Sequence, residues 1–267
     1  MRTDLRDRSL PRFNLGAVPL WLFAILTLLF LYVPILVVIA YSFTSDSLMM
    51  WPMPGLSLRW YQEFFADRQL LLALRNSAIV AFWSTLIGLV IGLPAAVALD
   101  RYDFPGKVVF QRLILLPFVL PGILMGLALL TLFLNTGVGL SLTTVIAGHA
   151  TLLVAVVITE TAVGLQRWDR TIEQAAMDLG ANEFQTFFYV MLPNLRTVIG
   201  GAVLLGLTLS LDEITRTFFL TGTQNTYPLY IWSMMRQGLT PEINAAASLI
   251  FGASAIVIII WSRLMRE

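Results

Sequence analysis

The sequence predicts an all-α membrane protein of six transmembrane helices, and three observations predict it. Of its 267 residues, 58% are hydrophobic and only 12% charged, where a soluble domain carries about 25% charged residues. Half that density leaves too little polar surface to cover a water-exposed body, so most of the exterior must face lipid. Mean hydropathy is +0.81. The apolar residues run continuously over long stretches, unlike the roughly ten-residue alternating segments of a membrane barrel. Cysteine is absent, which excludes disulfide frameworks and thiolate metal sites.

A helix needs about 20 predominantly apolar residues to cross the hydrocarbon core, and six segments supply them. The first is Val18–Phe43, preceded by a basic segment, residues 1–17. No Asp, Glu, Lys or Arg occurs between Arg12 and Asp46, a run longer than the ~7–15-residue core of a cleaved signal peptide. It reads as a retained signal-anchor, with residues 18–267 forming one transmembrane domain. The second segment is Asn76–Leu99. The third and fourth, Leu113–Leu134 and Leu142–Leu165, come from one stretch lacking those charged residues from Leu113 to Thr159, and Asn135–Gly139 supplies the turn between them. Thr197–Leu220 and Ile243–Arg263 complete the set. Pro34, Pro94, Pro117 and Pro121 fall inside spans, where the missing backbone donor bends a helix. Between spans, Leu58–Phe65 predicts a short interfacial helix, and Pro228–Met235 is apolar but too short to cross.

Positively charged loops stay in the cytoplasm. With the N-terminus inside, that side holds Arg2, Arg6, Arg8, Arg12, Arg101, Lys107, Arg112, Arg167, Arg170, Arg196, Arg263 and Arg266. The opposite side holds Arg59, Arg68, Arg75 and Arg236, and Arg216 lies within a span. Both termini are therefore expected in the cytoplasm.

The loop between the fourth and fifth spans, residues 166–196, is the most informative stretch. Ile172, Ala175, Ala176 and Leu179 recur at helical spacing on one apolar face. Thr171 with Gln174 fits a capping box, and Gly180 suits a left-handed helix end. A second helix follows, with Asn182 and Gln185 as its cap and Phe184, Phe187, Phe188 and Met191 on one face; Pro193 stops it. These faces need a partner, either the ends of neighbouring spans or the groove of a cytoplasmic protein. The small residues Ala175, Ala176 and Gly180 favour close approach of another surface over insertion among lipid headgroups.

Gln174-Ala175-Ala176, Gly180, Val190 and Leu192-Pro193 keep every spacing of the Glu-Ala-Ala loop of binding-protein-dependent ABC importer permeases. The loop resembles that motif with Gln174 in place of its Glu and Val190 in place of its Ile; Glu173 immediately precedes. Further stretches are similar to the polyamine (spermidine/putrescine) branch: Arg75-Asn76-Ser77, Arg101-Tyr102-Asp103-Phe104 with Gly106-Lys107, Leu116-Pro117 with Pro121, His149, Ser210-Leu211-Asp212-Glu213 and Pro241–Ala245. The resemblance implies a type I importer permease fold in the bacterial inner membrane, moving a small polar solute, a polyamine first, into the cytoplasm. Other small solutes such as opines, phosphonates or amino-acid-like compounds are the alternative. It implies two ATPase subunits, a second permease that is usually a different chain, and an extracytoplasmic binding protein. ATP and Mg would be used by the ATPase partner, with no cofactor, metal or nucleic acid bound by this chain. Glu173, Gln174, Ala175, Ala176, Asp178, Leu179, Gly180, Leu192 and Pro193 would form the ATPase-coupling surface.

No phosphate cradle of the Gly-x-x-x-x-Gly-Lys-Ser/Thr type is present, so the energy must arrive from a partner and no catalytic residue is expected. Charges inside a membrane usually face a cavity, since burying one costs from about 2.5 to more than 10 kcal/mol. Asp212, Glu213 and Arg216 lie inside the fifth span, where one arginine at helical spacing reaches either acid. Two roles stay open: a substrate path with one uncompensated carboxylate, or a structural ion pair. Tyr230 and Trp232 in the outer loop are a candidate gate or an interfacial anchor. Glu160 is expected to pair with Arg167 or Arg170, and His149 to be a satisfied packing residue. Gly200-Gly201, Ala202 and Gly206 suit close contact with the second permease. An intramembrane hydrolase is opposed by the absence of His-Glu-x-x-His, Gly-x-Ser-x-Gly and Cys. An ion-coupled carrier is opposed by the six spans and the paired loop helices.

Overall fold

The computed structural model describes residues 18–264; the basic segment with Arg2, Arg6, Arg8 and Arg12, and Arg266, lies outside the described residues. Among those described, the chain is helical, with one isolated antiparallel bridge, Thr44 to Leu56, and no strand. In chain order the helices are α1 (Val18–Tyr41), α2 (Arg59–Ala66), α3 (Arg68–Arg101), α4 (Lys107–Ile114), α5 (Leu116–Val119), α6 (Gly122–Asn135) and α7 (Leu142–Gln166). Then come α8 (Thr171–Asp178), α9 (Glu183–Gln185), a π-helical turn (Thr186–Met191), α10 (Leu192–Asn194), α11 (Arg196–Asp212), α12 (Thr215–Leu220), α13 (Tyr227–Gln237) and α14 (Pro241–Leu264).

Four helices, α1, α3, α7 and α14, are long and apolar enough to cross a membrane. Two bent pairs bring the number to six: Lys107–Val119 with Gly122–Asn135, bent by 106°, and Glu183–Asn194 with Arg196–Asp212, bent by 72°. The third expected span is thus no straight rod. Leu120 precedes Pro121 and takes extended angles, φ −74° and ψ 133°, because the proline ring clashes with a helical predecessor. The fifth expected span, Thr197–Leu220, is also interrupted. Its helix ends at Asp212, Glu213 is extended at φ −77° and ψ 105°, and α12 begins two residues later. No glycine or proline marks this second break.

Internal contacts divide the described chain into two units, residues 18–64 with Thr240–Ile260, and Phe65–Leu239 with 261–264. In the first, the chain after α1 folds back on itself: the Ser57 amide donates to the Phe43 carbonyl at 2.7 Å and the Trp60 indole to the Thr44 carbonyl at 2.7 Å. Trp60 and Phe64 are buried, as an amphipathic α2 requires. By contrast α1 leaves its apolar side chains exposed along its length, the pattern of a helix in lipid.

In the second unit, Asp67 caps α3 by accepting from the Gln69 and Leu70 amides at 2.8 and 3.1 Å. Helices α3 and α7 form the central packed pair, joined by α11 and α12. Val80, Val145 and Leu220 form a buried cluster, with Phe133, Leu142 and Phe219 packed against it. Gly148 makes this approach possible, since a Cβ there would lie 2.2 Å from a Leu220 methyl carbon. In lipid such contacts stabilise by close packing rather than by release of water. A second cluster, Leu165, Met191 and Leu195, ties the end of α7 to the loop that follows.

Candidate functional site

Two regions hold the polar residues that the sequence singles out. The first is the loop of α8 to α10. Gly180 sits at φ +93°, where an L side chain would be strained, so it ends α8 as expected. Asn182 and Gln185 form the expected reciprocal cap, at 2.8 and 2.9 Å. The other expected cap is not formed. Asp169, rather than Thr171 with Gln174, starts α8 by accepting from the Thr171 amide at 2.9 Å, and this hydrogen bond holds the Asp169 carboxyl below its usual range.

The loop's burial pattern shows which face of α8 turns inward. The apolar residues Ile172, Leu179, Phe184 and Tyr189 face outward, Leu179 at 90% exposure. The buried residue of α8 is Glu173, at 6%. Its carboxylate pairs with the Arg101 guanidinium at the end of α3. Asp100 completes the arrangement, bonded by Arg170 at 3.0 Å and lying 3.5 Å from Arg101. Four charges therefore fasten α8 to α3. Arg170 is engaged with Asp100 and not with Glu160. Gln174, Ala175, Asp178, Leu179, Gly180 and Pro193 are exposed, while Ala176 and Leu192 are half-buried. Between α8 and the π-helical turn opens a cavity of about 620 Å³, lined by Arg101, Glu173, Gln174, Phe184 and Phe187 among others. The pairing of Arg101 with Glu173 is not foreseeable from the sequence, where Arg101 counts only as a cytoplasmic cation within a branch-like stretch and the acid lies 72 residues on.

The second region is the break after α11. Arg216, buried, pairs with Glu213 and donates to the Pro117 carbonyl at 3.3 Å. The Glu213 carboxylate also accepts from the Arg216 amide at 3.0 Å, so one side chain starts α12 and neutralises its arginine. The expected choice between two acids is resolved: the break removes Asp212 from the helical spacing that would bring it to Arg216. Asp212 is exposed. The Pro117 contact joins the break of the third span to that of the fifth.

Around this break lies a buried polar cluster. His149 Nδ1 is 2.8 Å from the Ser210 hydroxyl and Nε2 is 2.9 Å from the Thr217 hydroxyl. The expectation of a satisfied packing histidine holds. Of the gate candidates, the Tyr230 hydroxyl donates to Asp67 at 2.8 Å, whereas Trp232 is exposed and lines a cavity of about 320 Å³ with Phe218, Asn225 and Arg236. The glycines of α11 do not form one free face. Gly200 lies under the Trp261 ring and Gly206 against Thr85, and only Gly201 meets open space.

Residues 88–266 match the family described as binding-protein-dependent transport system inner membrane component. The putrescine transport system permease protein PotI of Escherichia coli is 37% identical over 237 residues, 85% of this chain and 84% of that one. The spermidine/putrescine transport system permease protein PotC of Escherichia coli is 31% identical over 240 residues, 89% and 90% of the two chains. Among solved structures, a bacterial ABC transporter involved in the import of the acidic polysaccharide alginate superposes with TM-score 0.69 at 17% identity, covering 94% of this chain and 95% of that one. The four-to-six-span helical architecture is therefore a known importer fold. The chain belongs to the binding-protein-dependent transport system inner membrane component family, as a multi-pass permease subunit of an ABC importer that transports rather than catalyses, in the branch that contains PotI and PotC.

Proposed function

We propose that this permease carries a small cationic solute of the polyamine class, putrescine or spermidine in type, from an extracytoplasmic binding protein into the cytoplasm. The observation that carries the solute class is the charge assignment at the span-five break. Arg216 is engaged by Glu213 and the Pro117 carbonyl, which leaves the Asp212 carboxylate exposed. A carboxylate at membrane depth is costly unless it faces a cavity or meets a cation, and an ammonium group passing through supplies that counter-charge. The relatives named for putrescine and spermidine point the same way. Trp232 offers a ring face for a cation along the same route, and Tyr230, held by Asp67, keeps α13 in place.

ATP and Mg act on two separate ATPase subunits, and a second permease of different sequence completes the pore, as the branch's usual pairing implies; residues 18–267 act as one permease domain. Both termini and the loop 166–196 lie on the cytoplasmic side. The outward-facing apolar residues of the loop support docking on the ATPase through Gln174, Ala175, Ala176, Asp178, Leu179 and Gly180, with Leu192 and Pro193 closing the unit. Glu173 takes a different role from the docking contact that its place beside the motif suggested. Turned inward onto Arg101, it delivers movement of α8 to α3.

The test is Asp212→Asn in the reconstituted complex. Putrescine uptake should fall well below the fall in recovered assembled complex. Equal loss of both would assign Asp212 to structure, and undiminished uptake would remove the basis for a cationic solute.

A further inference from the structure

The break in span five lacks the residues that usually interrupt a helix, so something else must hold it. Helix α11 ends with Ser210 in its last turn, and α12 carries Thr217 in its first. His149 projects from α7 between them, 2% exposed, with one ring nitrogen on each hydroxyl. The Thr217 hydroxyl also donates to the Glu213 carbonyl at 2.9 Å. With that proton on the carbonyl, the Thr217 oxygen faces the ring as an acceptor, so Nε2 carries the imidazole proton. Nδ1 then accepts from Ser210, as a neutral ring with one donor and one acceptor requires. Ser84 on α3 lies 3.2 Å from the Ser210 hydroxyl but gives its one proton to the Val80 carbonyl at 2.5 Å, so the ordered chain of hydrogen bonds ends at Ser210. A second contact from α7 secures the far end of α12, where the Thr144 hydroxyl donates to the Leu220 carbonyl at 2.8 Å.

We propose that His149 is a positioning residue of the solute path. Its imidazole pins both sides of the break, keeps Glu213 in the extended conformation that starts α12, and so sets the direction in which Asp212 presents its carboxylate. A leucine or phenylalanine would fill the space without fixing either helix end. A histidine joins two hydroxyls across the ring with opposite hydrogen-bonding roles, which gives the interruption one geometry. The role for Asp212 rests on the proposed cationic solute; the pinning of the break does not.

The experiment reads the two separately. The chain has no cysteine, so spin labels at Leu205→Cys and Phe218→Cys, which straddle the break, are the chain's only labelled sites. In the assembled complex without solute or ATP, the distance between them should be narrowly distributed. His149→Leu should broaden or shift that distribution and lower putrescine uptake about tenfold, the population change expected when two intramembrane hydrogen bonds of ordinary strength are lost. His149→Gln, which places a donor near the position of Nε2, should restore a narrow distribution and much of the uptake. Thr217→Val, a smaller change, should broaden the distribution in the same direction if His149→Leu fails to assemble. An unchanged distance in the assembled leucine variant, or in Thr217→Val, would overturn the proposal. A changed distance with indifferent Asp212→Asn uptake would uphold the pinning and defeat the solute assignment alone.

Discussion

The loop of α8 to α10 and the break between α11 and α12 each rest on a Glu–Arg pair, but the pairs do opposite work. Glu173 and Arg101 are 72 residues apart and join two helices. Glu213 and Arg216 are three apart and stay within one turn. Around the first pair the surface is apolar and outward-facing, with Leu179 and Phe184 uncovered. Around the second, hydroxyls and an imidazole satisfy one another in the interior. The loop is thus fastened at one charged point and leaves its apolar face available to another protein. The break is closed on itself, and the charge it leaves available is Asp212. The proposed moving connection and the proposed solute path call for these two different constructions.

That contrast gives predictions of decreasing size. Gly180→Asp should abolish transport while membrane insertion persists, because φ +93° strains any L side chain at the end of α8; normal uptake would show that the loop tolerates a different exit. Removing one partner of the loop's pair, Glu173→Ala, should destabilise the docked α8 by about 2 kcal/mol, the worth of a charge-assisted hydrogen bond, since Asp100 stays 3.5 Å from Arg101 and the arginine is not left unpaired. Limited proteolysis of the loop checks this, and the exchange Arg101→Glu with Glu173→Arg should recover much of the protection if the pair itself is responsible. Gly148→Ala should cost about 1–3 kcal/mol through overpacking against Leu220, read as lower thermal stability of the assembled complex with α12 displaced. Asn182→Ala should cost about 1 kcal/mol by removing a helix cap, a local effect seen as faster amide exchange at Glu183–Gln185.

The same contrast explains which features were legible in the sequence. Helix ends in the loop were readable where a residue type has one physical use, as with Gly180 and the Asn182–Gln185 cap. The break in span three was legible only in part: Pro117 and Pro121 signalled a bend, but Pro34 and Pro94 carry the same signal and lie inside the unbroken helices α1 and α3. The break in span five was not legible, since Glu213 and Ile214 are compatible with helix and only the tertiary partners Arg216, Thr217 and His149 favour the interruption. The loop's apolar periodicity marked faces that call for a partner, yet it gave no information on what covers them. Within the chain the α8 face is left uncovered while the acid turns inward, because Arg101 lies beneath α8; the second face is divided, with Met191 buried and Phe184 and Phe188 exposed. Periodicity reports the character of a face; a charge on a distant helix decides which face turns in.

The central claim is that the outward-facing loop is where an ATPase drives this permease. Photocrosslinking from Leu179→Cys in the assembled complex during ATP turnover tests it most directly. The account predicts a dominant adduct to the nucleotide-hydrolysing subunit. Adducts confined to lipid, with turnover intact, would contradict it.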